Sequence, residues 1–333
     1  MKRVMKVWVF ILVGVLIFLP LTHVFLWKSS ADVDTYNCEH FYNTPDDTID
    51  VLFVGSSHCF CTVNNSVLWE NYGIAGYNFS TACQNLGNTY YYLKEAFKTQ
   101  SPKVVCVESY YFNKTGYSNT GDVYRNTLGL KYSKNYIDNA KFTLEAYGKE
   151  GITLADLIFK WPIIHSRYSE LSELDYNDYL YFQRGYRAAY ENSVCAQPFT
   201  EEFTEVADVD EEAYEWVDKI IELVEENDAE IMFFAAPYIL SQEKMAEFNA
   251  LEQYLENKNI TFINFNTYEN IAGLNYETDL WHEQHLNYYG AEKVSNYLGN
   301  YLNETYEFES HDGDERYELW DLDLLYYKNN EGA

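Results

Sequence analysis

Ser57 and His285 are the side chains of this chain best placed for chemistry. Ser57 lies in the Gly-Ser-Ser-His turn at residues 55–58, which follows the β-branched and aromatic run 49–54. The carboxyl end of a strand in an open α/β sheet faces the ligand crevice, so a serine there can expose its hydroxyl. Far downstream, the loop at residues 279–287 carries His285 together with acidic side chains. The pair predicts a serine nucleophile with a histidine base, the chemistry of acyl transfer.

Attack by a serine on an acyl carbon also needs donors that stabilise the oxyanion. The backbone N–H of Ser57 is one candidate. The loop at residues 81–85 is predicted to supply another, from its backbone or from Gln84, and Asn85 ends that loop. Arg167 could contact an anionic or carbohydrate ligand, because a guanidinium suits carboxylate and phosphate. An internal salt bridge is the alternative for Arg167 in so acidic a chain.

A metal site is an alternative interpretation of the late loop, because His282, Glu283 and His285 lie close together in the sequence. The zinc motif on a helix places its two histidines four residues apart, whereas these are three apart. Spacing indicates no third ligand. We expect His58, next to the candidate nucleophile, to line the pocket or support the structure. The sequence therefore predicts neither a metal nor any other cofactor.

The elements that would position these side chains alternate along the chain. Apolar runs predict strands, and stretches with apolar residues at helical spacing predict helices between them. The predicted strands are residues 49–54, 75–79, 104–107, 231–236 and 260–264, and the predicted helices are residues 85–98, 211–226, 241–256 and 288–302. This alternation indicates an α/β domain with a parallel sheet, right-handed crossovers and helices on both faces.

Two segments depart from this alternation. Residues 110–205, rich in tyrosine and asparagine, form a long insertion that we expect to be partly helical. Such an insertion can shape the substrate site, as loops at the edge of a sheet often do, or it can be a structural cap. Residues 304–333 form an acidic C-terminal tail, in which residues 319–320 and 322–327 could pack as a last element.

The N-terminal residues bear on the location of the protein. Lys2, Arg3 and Lys6 precede residues 7–27, an uncharged and mostly apolar run long enough to span a bilayer as a helix. Basic residues on the amino-terminal side predict that the rest of the chain lies outside the cytoplasm. A cleaved signal peptide, with its small-residue site at residues 29–31, is the alternative.

The overall charge limits the classes of partner. A formal net charge of −29 disfavours nucleic acid, because binding to phosphate backbones requires lysine and arginine. It equally disfavours docking on anionic lipid headgroups, so the predicted contact with the membrane is the N-terminal helix alone. An acidic exterior favours solubility outside a cell.

Three sequence blocks of this chain resemble those of the SGNH/GDSL hydrolase family. The resemblance is to its membrane-anchored, extracytoplasmic branch, which includes the teichoic-acid D-alanyl transfer protein and the alginate and peptidoglycan O-acetylation proteins. That branch carries Gly-Ser-Ser-His after strand one, matched by residues 54–58, and Asp-x-x-His-Leu-Asn before a Gly-Ala-containing last helix, matched in part by residues 285–291. Residues 77–80, Gln84 and residues 91–96 resemble a further block.

The resemblance covers roughly residues 49–110 and 229–302. It implies a three-layer α/β/α SGNH-type domain at residues 49–303, after a membrane anchor at residues 1–28 and a connector at residues 29–48. The implied function is acyl-ester chemistry on a cell-envelope polysaccharide, as an O-acyltransferase or an esterase. A membrane-bound O-acyltransferase is the implied partner.

The chain departs from the family at the acidic member of the triad. The Leu-Asn pair that follows His285 makes that residue the base, and it places His282 where the family has Asp. Asp279 or His282 would then orient His285, whereas a literal reading of the motif makes Asp279 the partner of His282. The family's oxyanion glycine and its third block also lack clear counterparts. These departures support a second hypothesis, a catalytically degraded SGNH-fold protein that binds polysaccharide or a membrane O-acyltransferase.

Overall fold

The computed structural model of the chain describes residues 2–26, 33–114, 116–176 and 183–330. The cleavage site considered at residues 29–31 lies outside the described residues, as do parts of the predicted connector, insertion and tail. Within the described part, helices and strands alternate around one larger sheet.

A five-stranded sheet lies at the centre of the fold. Its strands are β1 (Val51–Val54), β2 (Gly76–Asn78), β3 (Val104–Glu108), β4 (Glu230–Ala235) and β5 (Phe262–Asn264). All neighbours pair in parallel, in the order β2-β1-β3-β4-β5. The predicted α/β class and parallel sheet are therefore confirmed. The late loop, in contrast, contains a short antiparallel hairpin of β6 (Leu280–His282) and β7 (His285–Leu286).

Helices connect the strands and fill the insertion. They are α1 (Lys2–Phe25), α2 (Val33–Asn43), α3 (Ser57–Phe60), α4 (Asn65–Tyr72), α5 (Leu86–Ala96), α6 (Thr120–Arg125), α7 (Lys134–Tyr147), α8 (Leu154–Phe159), α9 (Trp161–Ile164), α10 (Glu211–Glu225), α11 (Gln242–Glu256), α12 (Tyr288–Thr305) and α13 (Glu318–Asn330). Short 3-10 helices are formed by His165–Ser169, Glu173–Asp175, Gln183–Gly185 and Glu315–Tyr317. The four helices predicted between the strands correspond to α5, α10, α11 and α12.

The strands contribute to two separate cores, because successive side chains alternate across a strand. Leu52 and Val105 belong to a core that includes apolar residues of α5 and α10. Val51 and Val104, one residue earlier in the same two strands, belong to a second core with α12. All four strand residues are fully buried. Helices therefore cover both faces of the sheet, and the carboxyl ends of its strands remain at one edge.

The C-terminal segment covers the outer strand β2. Trp320 of α13 is buried, and its indole N–H donates to the carbonyl oxygen of Gly76 at 3.0 Å. Asp323 of the same helix forms a buried ion pair with Arg184, with 2.7 Å between Oδ2 and Nε. A covered strand edge cannot pair with another chain. Part of the predicted acidic tail is thus a packed element of the fold.

Side chains of the insertion contact the end of the apolar helix α1. Arg3–Phe25 is long and apolar enough to cross a bilayer, a test that a signal sequence also passes. The ring of Trp161 lies 5.3 Å from that of Phe25. Arg167 donates to the carbonyl oxygens of Phe25 and Leu26, each at 2.9 Å, and so caps the end of the helix.

Candidate active site

The turn after β1 places Ser57 at the start of α3. Gly55 has a φ of +139°, and a Cβ there would lie 2.7 Å from the Cβ of Glu108, so only glycine fits. Ser56 caps the helix, because its Oγ accepts the backbone N–H of His58 at 3.2 Å. The chain therefore turns sharply after the strand, and the partly exposed Ser57 stands between buried neighbours.

The β6–β7 hairpin brings two histidines to Ser57. Nε2 of His285 lies 2.8 Å from Oγ of Ser57. Nδ1 of His285 lies 3.3 Å from Nε2 of His282. The structure therefore joins three of the four predicted catalytic residues in one row of hydrogen bonds.

The start of α12 fixes the position of this hairpin. The side chain of Asn287 accepts two backbone N–H groups in the first turn of α12 and donates to the carbonyl oxygen of Thr278 at 2.7 Å. Gly290 packs against the carbonyl oxygen of Asp279 so closely that a Cβ would not fit. The Leu-Asn and Gly-Ala pairs of the sequence thus have a physical role, since they lock the hairpin against the helix.

Asp279 does not orient either histidine in the structure. Its carboxylate pairs with the ammonium of Lys293 at 2.6 Å and accepts the backbone N–H of Asn275 at 2.7 Å. It also accepts the hydroxyl of Thr278 at 2.8 Å. These partners hold the carboxylate away from both histidines, so of the two orienting residues that the sequence left open, Asp279 is not the one beside His285. Among the described residues, His282 is the hydrogen-bond partner at Nδ1 of His285, and Ser57 is the partner at Nε2.

A hydrogen bond to His282 determines which atom donates and which accepts in the hydrogen bonds that link His282, His285 and Ser57. The backbone N–H of Gln284 donates to Nδ1 of His282 at 3.2 Å, so neutral His282 carries its hydrogen on Nε2. That hydrogen points at Nδ1 of His285, which must accept it. His285 consequently carries its own hydrogen on Nε2 and donates to Ser57. A general base needs a lone pair on that nitrogen, so the resting arrangement holds Ser57 without activating it.

Glu108 lies beneath the turn and is a residue that the sequence analysis did not identify. Its carboxylate accepts the hydroxyl of Ser56 at 2.7 Å and the backbone N–H of Tyr110 at 2.7 Å. Burial raises the pKa of Glu108 to about 7, although these hydrogen bonds lower it. An acidic residue ending a fully apolar strand was the available signal. The ring of His58 stacks on that of Tyr110, with 3.8 Å between centroids, and burial lowers the pKa of His58 well below the usual value.

The loop predicted to hold the oxyanion uses its polar groups elsewhere. Gln84 is hydrogen-bonded to two threonine hydroxyls at 3.0 Å each, and Asn85 caps α5. The backbone N–H of Ala82 donates to the carboxylate of Asp34 at 2.7 Å. The structure therefore places neither predicted side chain at the nucleophile. The backbone N–H of Ser57, in the first position of α3, remains the candidate donor.

Arg167 does not line the pocket around Ser57. Its buried guanidinium pairs with Asp175 at 2.8 Å while it caps α1. The internal salt bridge, the alternative weighed for this residue, is what the structure shows. Arg167 thus stabilises the junction of the insertion with α1.

The Ser57 pocket is a cavity of about 250 Å³. It is lined by Asp34, Ser57, Phe60, Cys61, Ala82, Arg125, Arg187, Trp281, His282 and His285. Arg187 was not identified from the sequence, because it comes from the insertion, where no periodic pattern marks a position. Within the residues that the structure describes, no three His, Cys, Asp or Glu side chains are grouped to hold a metal ion.

We expect the reaction of Ser57 to remain fast at acid pH. Burial lowers the pKa of His285 to about 4, and the neighbouring His282 and Arg187 act in the same direction. The neutral imidazole therefore predominates above about pH 4, whereas an ordinary histidine is half protonated at about pH 6.5. The rate at which a serine-reactive phosphonate modifies the full-length protein should stay level from about pH 8 to about pH 5 and fall through about pH 4.

A control for unfolding accompanies this pH profile. The unfolded chain protonates its histidines below about pH 6.5, while the buried, neutral His285 resists protonation, so acid also destabilises the fold. Circular dichroism at each pH identifies the range in which the protein is folded. A midpoint near pH 6.5 within that range would contradict the lowered pKa of His285.

Comparison with known proteins gives little likeness in sequence. No family model matches the chain, and no curated protein matches it. Among solved structures, the chain is similar to a "putative acylhydrolase" from Bacteroides fragilis, with a TM-score of 0.38 and 12% sequence identity. That match covers 84% of this chain and 98% of the other.

Proposed function

We propose that the chain carries out serine-dependent acyl-ester chemistry at Ser57, as an O-acyltransferase or an esterase. The observation that carries the proposal is the 2.8 Å contact between Oγ of Ser57 and Nε2 of His285. A histidine within hydrogen-bond reach can take the proton of a serine, and Ser57 stands at the carboxyl end of a parallel strand, where ligands bind.

The reaction begins when His282 releases the N–H of Gln284 and both histidines change tautomer by proton exchange with solvent, each losing its hydrogen at Nε2 and gaining one at Nδ1, so that Nδ1–H of His285 donates to Nε2 of His282. Oγ of Ser57 then attacks the carbonyl carbon of the ester, and its proton passes to Nε2 of His285. The backbone N–H of Ser57 stabilises the oxyanion. The carbon–oxygen bond to the alcohol breaks, and the proton on Nε2 passes to the departing oxygen. A second hydroxyl attacks the acyl-serine by the same proton path; water makes the protein an esterase, and a sugar hydroxyl makes it a transferase.

We place this chemistry on an SGNH-type three-layer domain. The support is the position of Ser57 directly after β1 and of His285 directly before α12, the last helix of the sheet domain. A second cleft, of about 510 Å³, borders Gln284 and is lined in part by Tyr110 and Tyr238. Tyr238 is buried and His58 stacks on Tyr110, so the proposal of a cell-envelope polysaccharide as the substrate or acceptor rests on the sequence resemblance and not on these rings.

We further propose that α1 anchors the domain on the outer side of a membrane, where a membrane-bound O-acyltransferase could be a partner. The support is the apolar span of Arg3–Phe25 and the basic residues near its amino end. Trp161 and Arg167 make contacts with the end of α1 that cleavage would remove. Loss of α1 would take two carbonyl acceptors from a buried guanidinium, a costly change that favours retention of the helix.

A non-catalytic binding protein is the second candidate, and two observations favour it. The resting hydrogen bonds direct a hydrogen from His285 to Ser57 rather than a lone pair. The backbone N–H of Ala82, which could help to hold an oxyanion, is occupied by Asp34. Such a protein would keep the fold and bind polysaccharide or a membrane partner.

Labelling with a fluorophosphonate probe decides between the two candidates. Full-length protein in detergent micelles is expected to carry the phosphonyl group on Ser57, located by peptide mass spectrometry, because only an activated serine displaces the fluoride. Ser57→Ala should lose all labelling and keep the wild-type melting temperature. An authentic serine esterase in the same micelles serves as the positive control. A wild-type protein that stays unlabelled beside the labelled esterase would favour the binding protein.

A further inference from the structure

Arg187 brings a positive charge without a carboxylate partner to the Ser57 pocket. No ion pair joins its guanidinium to an acidic group in the part of the chain that the structure describes. It lines the same cavity as Ser57 and His285. Its charge contributes to the lowered pKa of His285, so its field reaches the reacting atoms.

Two contacts hold Arg187 in this position. Its backbone N–H donates to the carbonyl oxygen of Phe60 at 2.9 Å, which ties it to the helix that begins at Ser57. Its guanidinium lies over the ring of Trp281, 5.7 Å from the centroid. The indole N–H of Trp281 donates to the carboxylate of Glu191 at 2.9 Å, which orients the ring. Arg187 is thus positioned by its backbone and by stacking, and its N–H groups are not committed to a carboxylate.

The other charged groups of the pocket differ from Arg187 because they are paired. Arg125 lies 3.5 Å from Asp34 and 3.5 Å from Asp122. Arg125 is therefore shared by two carboxylates, whereas no carboxylate among the described residues forms an ion pair with Arg187. In a chain of net charge −29, most of the surface repels anions. A guanidinium without an ion pair in the pocket of the nucleophile is a local exception.

We propose that Arg187 binds an anionic group, a carboxylate or a phosphate, on the ester whose acyl group Ser57 accepts. This inference rests on the proposed function of Ser57 and specifies its substrate as an anionic acyl ester. The planar guanidinium matches both anions through paired N–H donors, which form no ion pair among the described residues. The anion positions the ester carbonyl at Ser57, so Arg187 acts in binding and selectivity.

A pair of matched esters tests the proposal. p-Nitrophenyl hemisuccinate carries a carboxylate at the end of its acyl chain, and p-nitrophenyl butyrate is its neutral counterpart of similar length. The full-length protein in micelles is expected to favour the anionic ester in kcat/KM. Arg187→Gln should lower the ratio of the two kcat/KM values by about tenfold to a hundredfold, the range for loss of a charge-assisted hydrogen bond.

A matched charge control separates local from overall electrostatics. Arg316 is exposed and pairs with Asp314 at 2.6 Å outside the Ser57 pocket. Arg316→Gln changes the net charge by the same amount and should keep the wild-type ratio. An equal fall in the ratio for Arg316→Gln would overturn the proposal, and so would an unchanged ratio in Arg187→Gln. An equal loss on both esters would assign Arg187 to the oxyanion and also overturn it.

A binding measurement keeps this test independent of turnover. Titration calorimetry on full-length Ser57→Ala protein, with monomethyl succinate as the anionic probe and methyl butyrate as the neutral one, needs no catalysis. Adding Arg187→Gln should weaken binding of monomethyl succinate at least tenfold, by the same estimate. Absence of labelling and of turnover would contradict the proposed function without bearing on the anion site. An equal affinity for monomethyl succinate with and without Arg187 would contradict the anion site without bearing on the proposed function.

Discussion

His285→Ala should slow the acylation of Ser57 by about 10²–10⁴-fold, the range that a general base contributes. Among the described residues, His285 alone is hydrogen-bonded to the Ser57 hydroxyl. His58, the next residue along the chain, stacks on Tyr110 and contacts Ser56 instead. The measurement is the burst of p-nitrophenol from an activated ester, followed by stopped flow on the full-length protein.

Two further variants make this result specific. His285→Gln keeps a hydrogen-bonding side chain that cannot take a proton, so it should be as slow as His285→Ala. His165→Ala removes an exposed histidine of the insertion that does not line the Ser57 pocket, and it should react at the wild-type rate. If His285→Gln reacted at the wild-type rate, His285 would act by position and not as the base.

His282→Glu should speed the acylation of Ser57 by about tenfold to a hundredfold. In the wild type, productive proton transfer requires that the N–H of Gln284 lose its acceptor, a cost of about 1–3 kcal/mol. A glutamate carboxylate reaches about as far from the backbone as the imidazole Nε2 and can only accept a hydrogen from His285. It would set the hydrogen of His285 on Nδ1, leave a lone pair facing Ser57, and stabilise the imidazolium that forms.

The amide variant separates the two parts of this gain. His282→Gln offers an oxygen acceptor without a charge, so its acylation rate should lie between those of the wild type and His282→Glu. Nitrogen NMR of labelled histidine measures the tautomer of His285 directly, with the hydrogen on Nε2 in the wild type and on Nδ1 in His282→Glu. A wild-type protein with its hydrogen already on Nδ1, or no rate gain in His282→Glu, would refute this account of the row.

The positions of Ser57 and His285 were accessible from the sequence because each adjoins a strong local signal. Ser57 follows an apolar strand, after a turn in which Gly55 leaves no room for a Cβ. His285 lies shortly before Asn287, the N-cap of α12. The orienting partner was not decided by the sequence, since Asp279 and His282 are both near enough along the chain. Its identity depends on Lys293, one helix turn into α12, which holds the Asp279 carboxylate.

The sheet could be predicted from the sequence, whereas the contacts made by side chains of the insertion could not, for a physical reason. Buried parallel strands are apolar runs and their helices are periodic, so both patterns are local. Arg187 and Arg167, in contrast, come from a segment without a period, and long-range contacts decide their places. Arg187 reaches the pocket through the carbonyl of Phe60, and Arg167 reaches the end of α1. The sequence around a basic residue in such a segment does not indicate which acidic group or ligand that residue contacts.

The junction between α1 and the insertion also restricts how the domain can move. Trp161 touches both Phe18 and Phe25, two turns apart on one side of the helix, and Arg167 caps its end. Contacts at two positions along α1 resist tilting of the domain relative to the helix. A connecting segment without these contacts would permit it. With α1 in a bilayer, as proposed, the Ser57 pocket would keep a fixed distance from the membrane surface and a fixed orientation relative to it. Distance from the membrane would then select among ester groups, alongside their chemistry.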